Sequence, residues 1–356
     1  MTLILSNADV ENLLTMGDCI ESFETAYVAL AEGRALTRTR SDCIVPTGRD
    51  DALYSLKSMD GVIPELGVGA VRIDSDIVTW PRQGDNVRRV KVPAANGRYV
   101  GLVLLFSTET GEPLAIMPDG VMQRMRVGAT SGLGAKHLAR KDAATIGLLG
   151  SGWQAGAQVM AVCAVRTIES IRCFSPTRAN REAFAAEMRA RIGVPVAPVD
   201  SAEDAVRGAD IVLCATNAID NVFFKRWIEP GMHLSAIKPA EIEAQAIRRA
   251  ERVVIHTADT KPIHVMAAGV TAPDASAGKG WASTEQVDLK QFPTLPDLIA
   301  GRVPGRASDH DVTCFVNNLG LGFQFAAAGA LVVANAKKRG IGRELPTDWF
   351  TQDVHP

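Results

Sequence analysis

Residues 144–158 read ATIGLLGSGWQAGAQ, and the reading of this stretch decides the fold. The apolar run at 145–149 has the length and bulk of a buried parallel strand. It leads into Gly150, Gly152 and Ala155, spaced G-x-G-x-x-A, and then into a helix-compatible segment. In a dinucleotide-binding βαβ unit the first glycine makes the tight turn and the second lets the backbone approach a pyrophosphate. The small third residue lets helix and strand pack closely, with the helix N-terminus facing the phosphates. A glycine turn by itself is equally a structural loop, so the rest of the chain has to decide.

Downstream the alternation is regular. Strand-like runs fall at 171–174, 194–198, 211–215, 233–237 and 253–255, with helical stretches such as ANREAFAAEMRARIG and SAEDAVRGAD between them. With 145–149 these make six strands, as in a complete doubly wound domain. The expected fold class is therefore α/β: a Rossmann-type dinucleotide-binding domain over 121–314, beside a discontinuous α+β domain from 1–120 and 315–356. Candidate cofactor-binding residues are Gly150, Gly152, Trp153, Gln154 and Ala155 at the turn, and Ala215 and Thr216 after a later strand. Ser175, Thr177 and Arg178 follow the second strand, in RCFSPTRAN, where an NAD site usually carries an acid for the ribose 2′-hydroxyl. Two hydroxyls and an arginine suit a 2′-phosphate, so NADP(H) is the preferred cofactor and NAD(H) the alternative; Arg178 equally starts a solvated helix.

Toward the N-terminus, residues 7–32 carry Val10, Leu13, Leu14, Ile20, Phe23, Tyr27 and Leu30 at helical intervals and read as two short helices ended by Gly33. From 36 to 114 short β-type runs take over (CIVP, ALYSLKSM, VGAVRID, RYVGLVLLFS, PLAIM), an open or curled sheet. It is loaded with cations: Arg38, Arg40, Lys57, Arg72, Arg82, Arg88, Arg89 and Lys91. Most read as a solvated face. Lys57 and Arg72 each interrupt an apolar strand, where a cation needs a partner, and an anionic substrate is one candidate. Residues 122–138 read as a helix rich in small residues, with Arg126 in its apolar first half, suited to a structural ion pair or to a carboxylate. The stretch 264–291 reads as a loop with short helices, and GRVPGRASDHDVTCFVNN returns to a strand. The apolar run 319–336 has the length of a membrane span, yet it holds Gln324 and Asn335 and ends in Lys337, Lys338 and Arg339. It reads as a buried helix with a basic last turn.

Composition bounds the rest. Of 356 residues 47% are hydrophobic and 22% charged, with a net charge of -2, which argues against nucleic acid or a membrane surface as partner. The start, MTLILSNADVENLL, lacks the basic n-region of a secretory signal. Cys19, Cys43, Cys163, Cys173, Cys214 and Cys314 have no metal-ligand spacing, so buried free thiols, a cytoplasmic location and no metal are expected.

MRVGATSGLGAKHLARKDAATIGLLGSGWQA resembles the Arg-Thr-Ala-Ala-Thr-Ser helix and following Gly-x-Gly-x-Gln-Ala of the ornithine cyclodeaminase and mu-crystallin family, and GRVPGRASDHDVTCF adds to the likeness, which covers nearly the whole chain. The resemblance implies a homodimer formed through the N-terminal domain. It also matches Arg126 to the arginine that binds the substrate carboxylate, Arg72 to an active-site lysine, and Arg40, with Arg38 as competitor, to a further arginine. Lys57 stands where relatives have a methionine. A second departure is GMHLSAIKPAEIEAQAI, where cyclodeaminases carry a catalytic aspartate and this chain has only Lys238 and Glu241. That argues against ornithine cyclisation and leaves hydride transfer untouched.

The function expected is an NAD(P)H-dependent oxidoreductase on C–N bonds: an imine or ketimine reductase, or an amino-acid dehydrogenase, taking a carboxylate-bearing imine, keto acid or amino acid. Arg40, Arg72 and Arg126 would clamp the carboxylate, with Lys57 and Arg72 as the catalytic pair and Lys57 as proton donor. The competing reading of Lys57 is a pair with a surface carboxylate. The alternatives for the whole chain are an ornithine or lysine cyclodeaminase and a non-enzymatic, crystallin-like ligand binder. His137, His233, His256 and His264 read as structural.

Overall fold

The computed structural model describes residues 1–83, 86–87, 90–218, 220–259, 261–270 and 287–354. The chain divides into two compact units, Met1–Arg126 with Lys261–Ala275 and Gly320–Pro356, and Val127–Thr260 with Ser276–Leu319.

The first unit is built on two strands, Ala52–Ile63 and Val68–Thr79, paired antiparallel along their whole length. They belong, among the described residues, to a ten-stranded sheet whose main path is Ile263–Met266, Ser41–Pro46, Ala52–Ile63, Val68–Thr79, Val100–Ser107, Pro113–Pro118, Thr2–Ile4, Arg343–Leu345. Burial alternates residue by residue along Val68–Thr79, so Val68, Ala70, Arg72, Asp74, Asp76 and Val78 share the inner face. On that face packs the helix Phe323–Arg339, and the helix Met16–Ala31 packs against it, with Tyr27 edge-on to Phe323 at 5.0 Å. Phe23, Tyr27, Phe323 and Phe325 are fully buried, each stabilising the unit by about 1.5–3 kcal/mol.

Two expectations change here. The segment expected to be loop supplies the strand Ile263–Met266, parallel to Ser41–Pro46, because its alternating β-branched residues find a free sheet edge. Most of the remainder, 271–286, lies outside the described residues, as do Arg88 and Arg89. Cys43 is exposed, on the outer face of the sheet, whereas Cys19, Cys173, Cys214 and Cys314 are buried; all six thiols are free.

In the second unit the described strands form a seven-stranded, wholly parallel sheet in the order Val196–Pro198, Ser170–Phe174, Thr145–Leu149, Ile211–Cys214, His233–Ala236, Thr313–Val316, Arg252–Ile255. From Thr145–Leu149 the chain steps outward one way and then returns to continue on the other side at Ile211–Cys214, the reversal of a doubly wound Rossmann-type sheet. The sheet has one strand more than expected. Thr313–Val316 inserts between His233–Ala236 and Arg252–Ile255, so a boundary at 314 would cut through it. All four of its residues are buried, and pairing on both sides makes this short run a strand. The last apolar run is the helix Phe323–Arg339, with Lys337, Lys338 and Arg339 in its final turn. Among the described residues no helix is long and apolar enough to cross a membrane.

Candidate active site

Period-two alternation puts Lys57 and Met59 on the inner face of one long strand and Arg72, Asp74 and Asp76 on the inner face of the next. Register then aligns Asp42, Lys57 and Asp74 in one row across three strands, and Met59 beside Arg72. Arg126 joins them from the helix Gly120–Leu138. Together with Arg40, Lys91, Gln123 and Gly320 these residues line a cavity of ≈ 210 Å³. Arg40, Lys57, Arg72 and Arg126, named separately from the sequence, therefore meet at one wall. Five cations and one carboxylate, Asp74, line it, while Asp42, Asp76 and Asp119 pair with these cations from outside the lining.

Arg126 is buried and stacks 5.6 Å over Phe325. Its Nε donates to Gln123 Oε1 at 3.2 Å and its Nη1 to Gln324 Oε1 at 3.4 Å. A Cβ on Gly320 would stand 2.1 Å from Nη1, so only glycine leaves room for the guanidinium. Burial, followed by the nearby charge of Arg72, pulls the Arg126 pKa down to about 9, which leaves it charged at neutral pH and better solvated by an added anion. Arg72 holds Asp119 through Nε at 2.7 Å and Nη2 at 2.6 Å, and reaches Asp74 at 3.3 Å. Arg40 grips Asp42 with two bonds of 2.8 Å.

Lys57 is nearly inaccessible, with Nζ 3.1 Å from Asp74 and in contact with Asp76. Its partners are thus buried carboxylates of the neighbouring strand rather than a surface one. Lys91, half-exposed, bridges the same two carboxylates, at 3.0 Å and 2.9 Å. Burial lowers the Lys57 pKa, against the opposing pull of Asp76 and Asp74. Burial would raise that of Asp74, but Arg72, Lys57 and Lys91 together hold it well below the usual carboxylate range. The sequence reading passed over Asp42, Asp74, Asp76 and Asp119. The spacing of Arg72, Asp74 and Asp76 at every second residue of one strand was the available signal.

At the glycine turn, Gly150 has φ +120° and a Cβ there would lie 2.2 Å from the Ala215 carbonyl oxygen. Gly152 caps the helix Trp153–Val165 without a side chain and with nothing within 4 Å of its would-be Cβ. An open cradle at the head of a 13-residue helix fits a dinucleotide phosphate. Ala155 is buried in the helix–strand contact, Trp153 is exposed, and the half-buried Gln154 has its Oε1 without a hydrogen bond. Ser151 Oγ donates to Ser175 Oγ at 2.8 Å, and Thr177 caps the helix Arg178–Ile192. Arg178 lies on the surface, paired with Glu182 at 2.7 Å, whereas Arg181, passed over in the sequence, is buried and donates to the Ser175 carbonyl at 3.1 Å.

Glu241 is fully buried. Oε1 accepts from Thr216 N at 2.5 Å and Thr216 Oγ1 at 2.8 Å, and Oε2 from Ile237 N and Lys238 N at 3.1 Å. Burial raises its pKa against Lys238 and these donors. Lys238 Nζ donates to the Ala218 carbonyl at 2.8 Å. Both residues are spent on tying loops together. His233 and His256 are likewise enclosed, on Thr313 and the Leu319 carbonyl.

Comparison with known proteins adds the lineage. A Δ1-pyrroline-2-carboxylate reductase of Bacillus cereus is 28% identical over 348 residues, covering 96% of this chain and 99% of that one. An alanine dehydrogenase of Archaeoglobus fulgidus is 27% identical over 349 residues, covering 97% and 98%. The structure of Thermococcus litoralis Δ1-pyrroline-2-carboxylate reductase in complex with NADH and L-proline matches with a TM-score of 0.77 and 26% identity, covering 97% of this chain and 100% of that one. Residues 1–340 match the model of a single family, so the chain belongs to the ornithine cyclodeaminase/mu-crystallin family.

Proposed function

We propose that this protein is an NAD(P)H-dependent oxidoreductase that reduces a C=N bond next to a carboxylate, or runs the reverse oxidation of the amino acid. The observation that carries this is the small cavity lined by five cations and one carboxylate, with a buried lysine among them. Arg126, with Arg72 and Arg40, binds the substrate carboxylate and fixes the orientation of the adjoining imine. Lys57 Nζ gives a proton to the imine nitrogen, and its depressed pKa suits that transfer. A nicotinamide dinucleotide, when bound, supplies the hydride. Gly150, Gly152, Trp153, Gln154 and Ala155 would hold its pyrophosphate side, and Ala215 and Thr216 the following segment. Ser175, Thr177 and Arg178 would take a ribose 2′-phosphate: no acid stands among them, and the Arg178 guanidinium lies at the surface, paired with Glu182. NADP(H) is accordingly the proposed cofactor, although the Thermococcus relative carries NADH.

The working form proposed is a cytoplasmic homodimer. Its support is the outer face of the large sheet, where Val265, Leu56, Val100 and Leu102 are each 40% to 55% exposed. Val265, Cys43, Leu56, Ser75 and Val100 stand in register as one row across five strands, a largely apolar surface suited to a second copy of itself.

The test is absorbance at 340 nm with NADPH, then NADH, against cyclic imines and against 2-oxo acids with ammonia or methylamine. Oxidation of NADPH that requires the imine is expected. A flat trace accompanied by ammonia release from ornithine or lysine would replace this reading with a cyclodeaminase. Binding without turnover on any of these would replace it with a ligand binder.

A further inference from the structure

Reduction of an imine adds a hydride to carbon and a proton to nitrogen. If Lys57 gives the proton, it is left as a neutral amine and has to be recharged before the next cycle. Lys57 itself is 3% exposed, so its direct contact with solvent is small. Its Nζ contacts Asp76 and lies 3.1 Å from Asp74. Both carboxylates are buried, and each is also held by Lys91 Nζ, at 3.0 Å from Asp74 and 2.9 Å from Asp76. The Lys91 side chain is 42% exposed. The chain thus places a buried amine, two carboxylates and a solvent-reaching amine in unbroken contact. The strand Val90–Val92, which carries Lys91, is paired to the same strand that carries Asp74 and Asp76.

We propose that Lys91, Asp74 and Asp76 form a proton path that recharges Lys57 from solvent after each turnover. An Asp76 or Asp74 oxygen passes a proton to the neutral Lys57 Nζ as Lys91 Nζ–H delivers one to the same carboxylate, and Lys91 then takes a proton from water. Each bond broken is matched by one formed, no electrons move, and in amino-acid oxidation the proton runs outward along the same atoms. Asp42, opposite Lys57 in the neighbouring strand, is outside the path: Arg40 grips both its oxygens, and His264 approaches one of them at 3.5 Å. Arg72, the remaining cation on Asp74 at 3.3 Å, is held on its other side by Asp119 and is outside the path as well. The inference rests on the reading of Lys57 as proton donor.

Lys91→Arg separates a path from a structural role, because arginine keeps the charge and can bridge both carboxylates but does not release a proton. Stopped-flow absorbance with NADPH (NADH if that proves the cofactor) and Δ1-pyrroline-2-carboxylate as probe reads the first and later turnovers separately. Expected for Lys91→Arg is a native first turnover, later turnovers slowed about tenfold or more, and their recovery on adding methylamine. Native rates throughout, or a first turnover slowed as much as the rest, overturn the path while leaving Lys57 in place. A native first turnover in Lys57→Met removes the donor and the path together. So does failure of the unaltered chain to oxidise the reduced cofactor with any imine of the panel.

Discussion

In the proposed reaction, with Lys57 as proton donor, this residue is where the chemistry and the electrostatics meet. Its ammonium is the acid form, so reduction should require it protonated, and burial lowers the pKa at which the proton is lost. The reductive rate should therefore fall as pH rises through a value below the ordinary lysine figure of about 10.4. Lys57→Met should lower kcat by about 10²-fold or more and abolish that limb, with nucleotide affinity, read by titration of cofactor fluorescence, unchanged. His233 makes a prediction about stability instead. Thr313 Oγ1 spends its proton on the Leu138 carbonyl, so His233 Nδ1 donates to Thr313 and the buried Nε2 carries no proton. Burial first, then Arg306 and Arg166, lower its pKa to about 3. The unfolded chain binds this proton near pH 6.5 and the folded chain does not, so stability is present above that pH and is lost as pH falls below it. His233→Asn should flatten the decline of Tm between pH 7 and pH 5 relative to the unaltered chain; an identical decline in both would show that His233 does not cause it.

Among the elements, the two long strands do most of the positioning. Their alternation was legible from residue 36 onward, as was the oddity of cations inside apolar runs, because a period of two is a local property. Which carboxylates met those cations was not, because partners such as Asp119 for Arg72 come from 47 residues away. Helix Gly120–Leu138 delivers Arg126 against Gly320, where a Cβ would stand 2.1 Å from the guanidinium. Gly320→Ala should displace the guanidinium, raising KM for the carboxylate substrate about tenfold or more through the loss of a charge-assisted bond. Cofactor affinity should not change. An unaltered KM would remove Arg126 from carboxylate binding.

For the molecule as a whole, the outer apolar row sets the expected state of association. Leu56→Asp puts a charge in the middle of that row, away from the cavity face, and should convert a dimer to a monomer in sedimentation velocity. A native sedimentation coefficient in this variant would exclude the face as the interface.

The sequence by itself determined the Rossmann-type class, since a glycine turn between a buried strand and a helix, followed by regular alternation, is written in neighbouring residues. It also carried the family, through motifs spread along nearly the whole chain. Tertiary structure decided the insertion of Thr313–Val316 between two earlier strands, the edge strand Ile263–Met266, and the row that aligns Asp42, Lys57 and Asp74. A strand's pattern states which of its faces is buried but not which strand lies beside it, and that pairing is set by contacts between residues far apart in the chain.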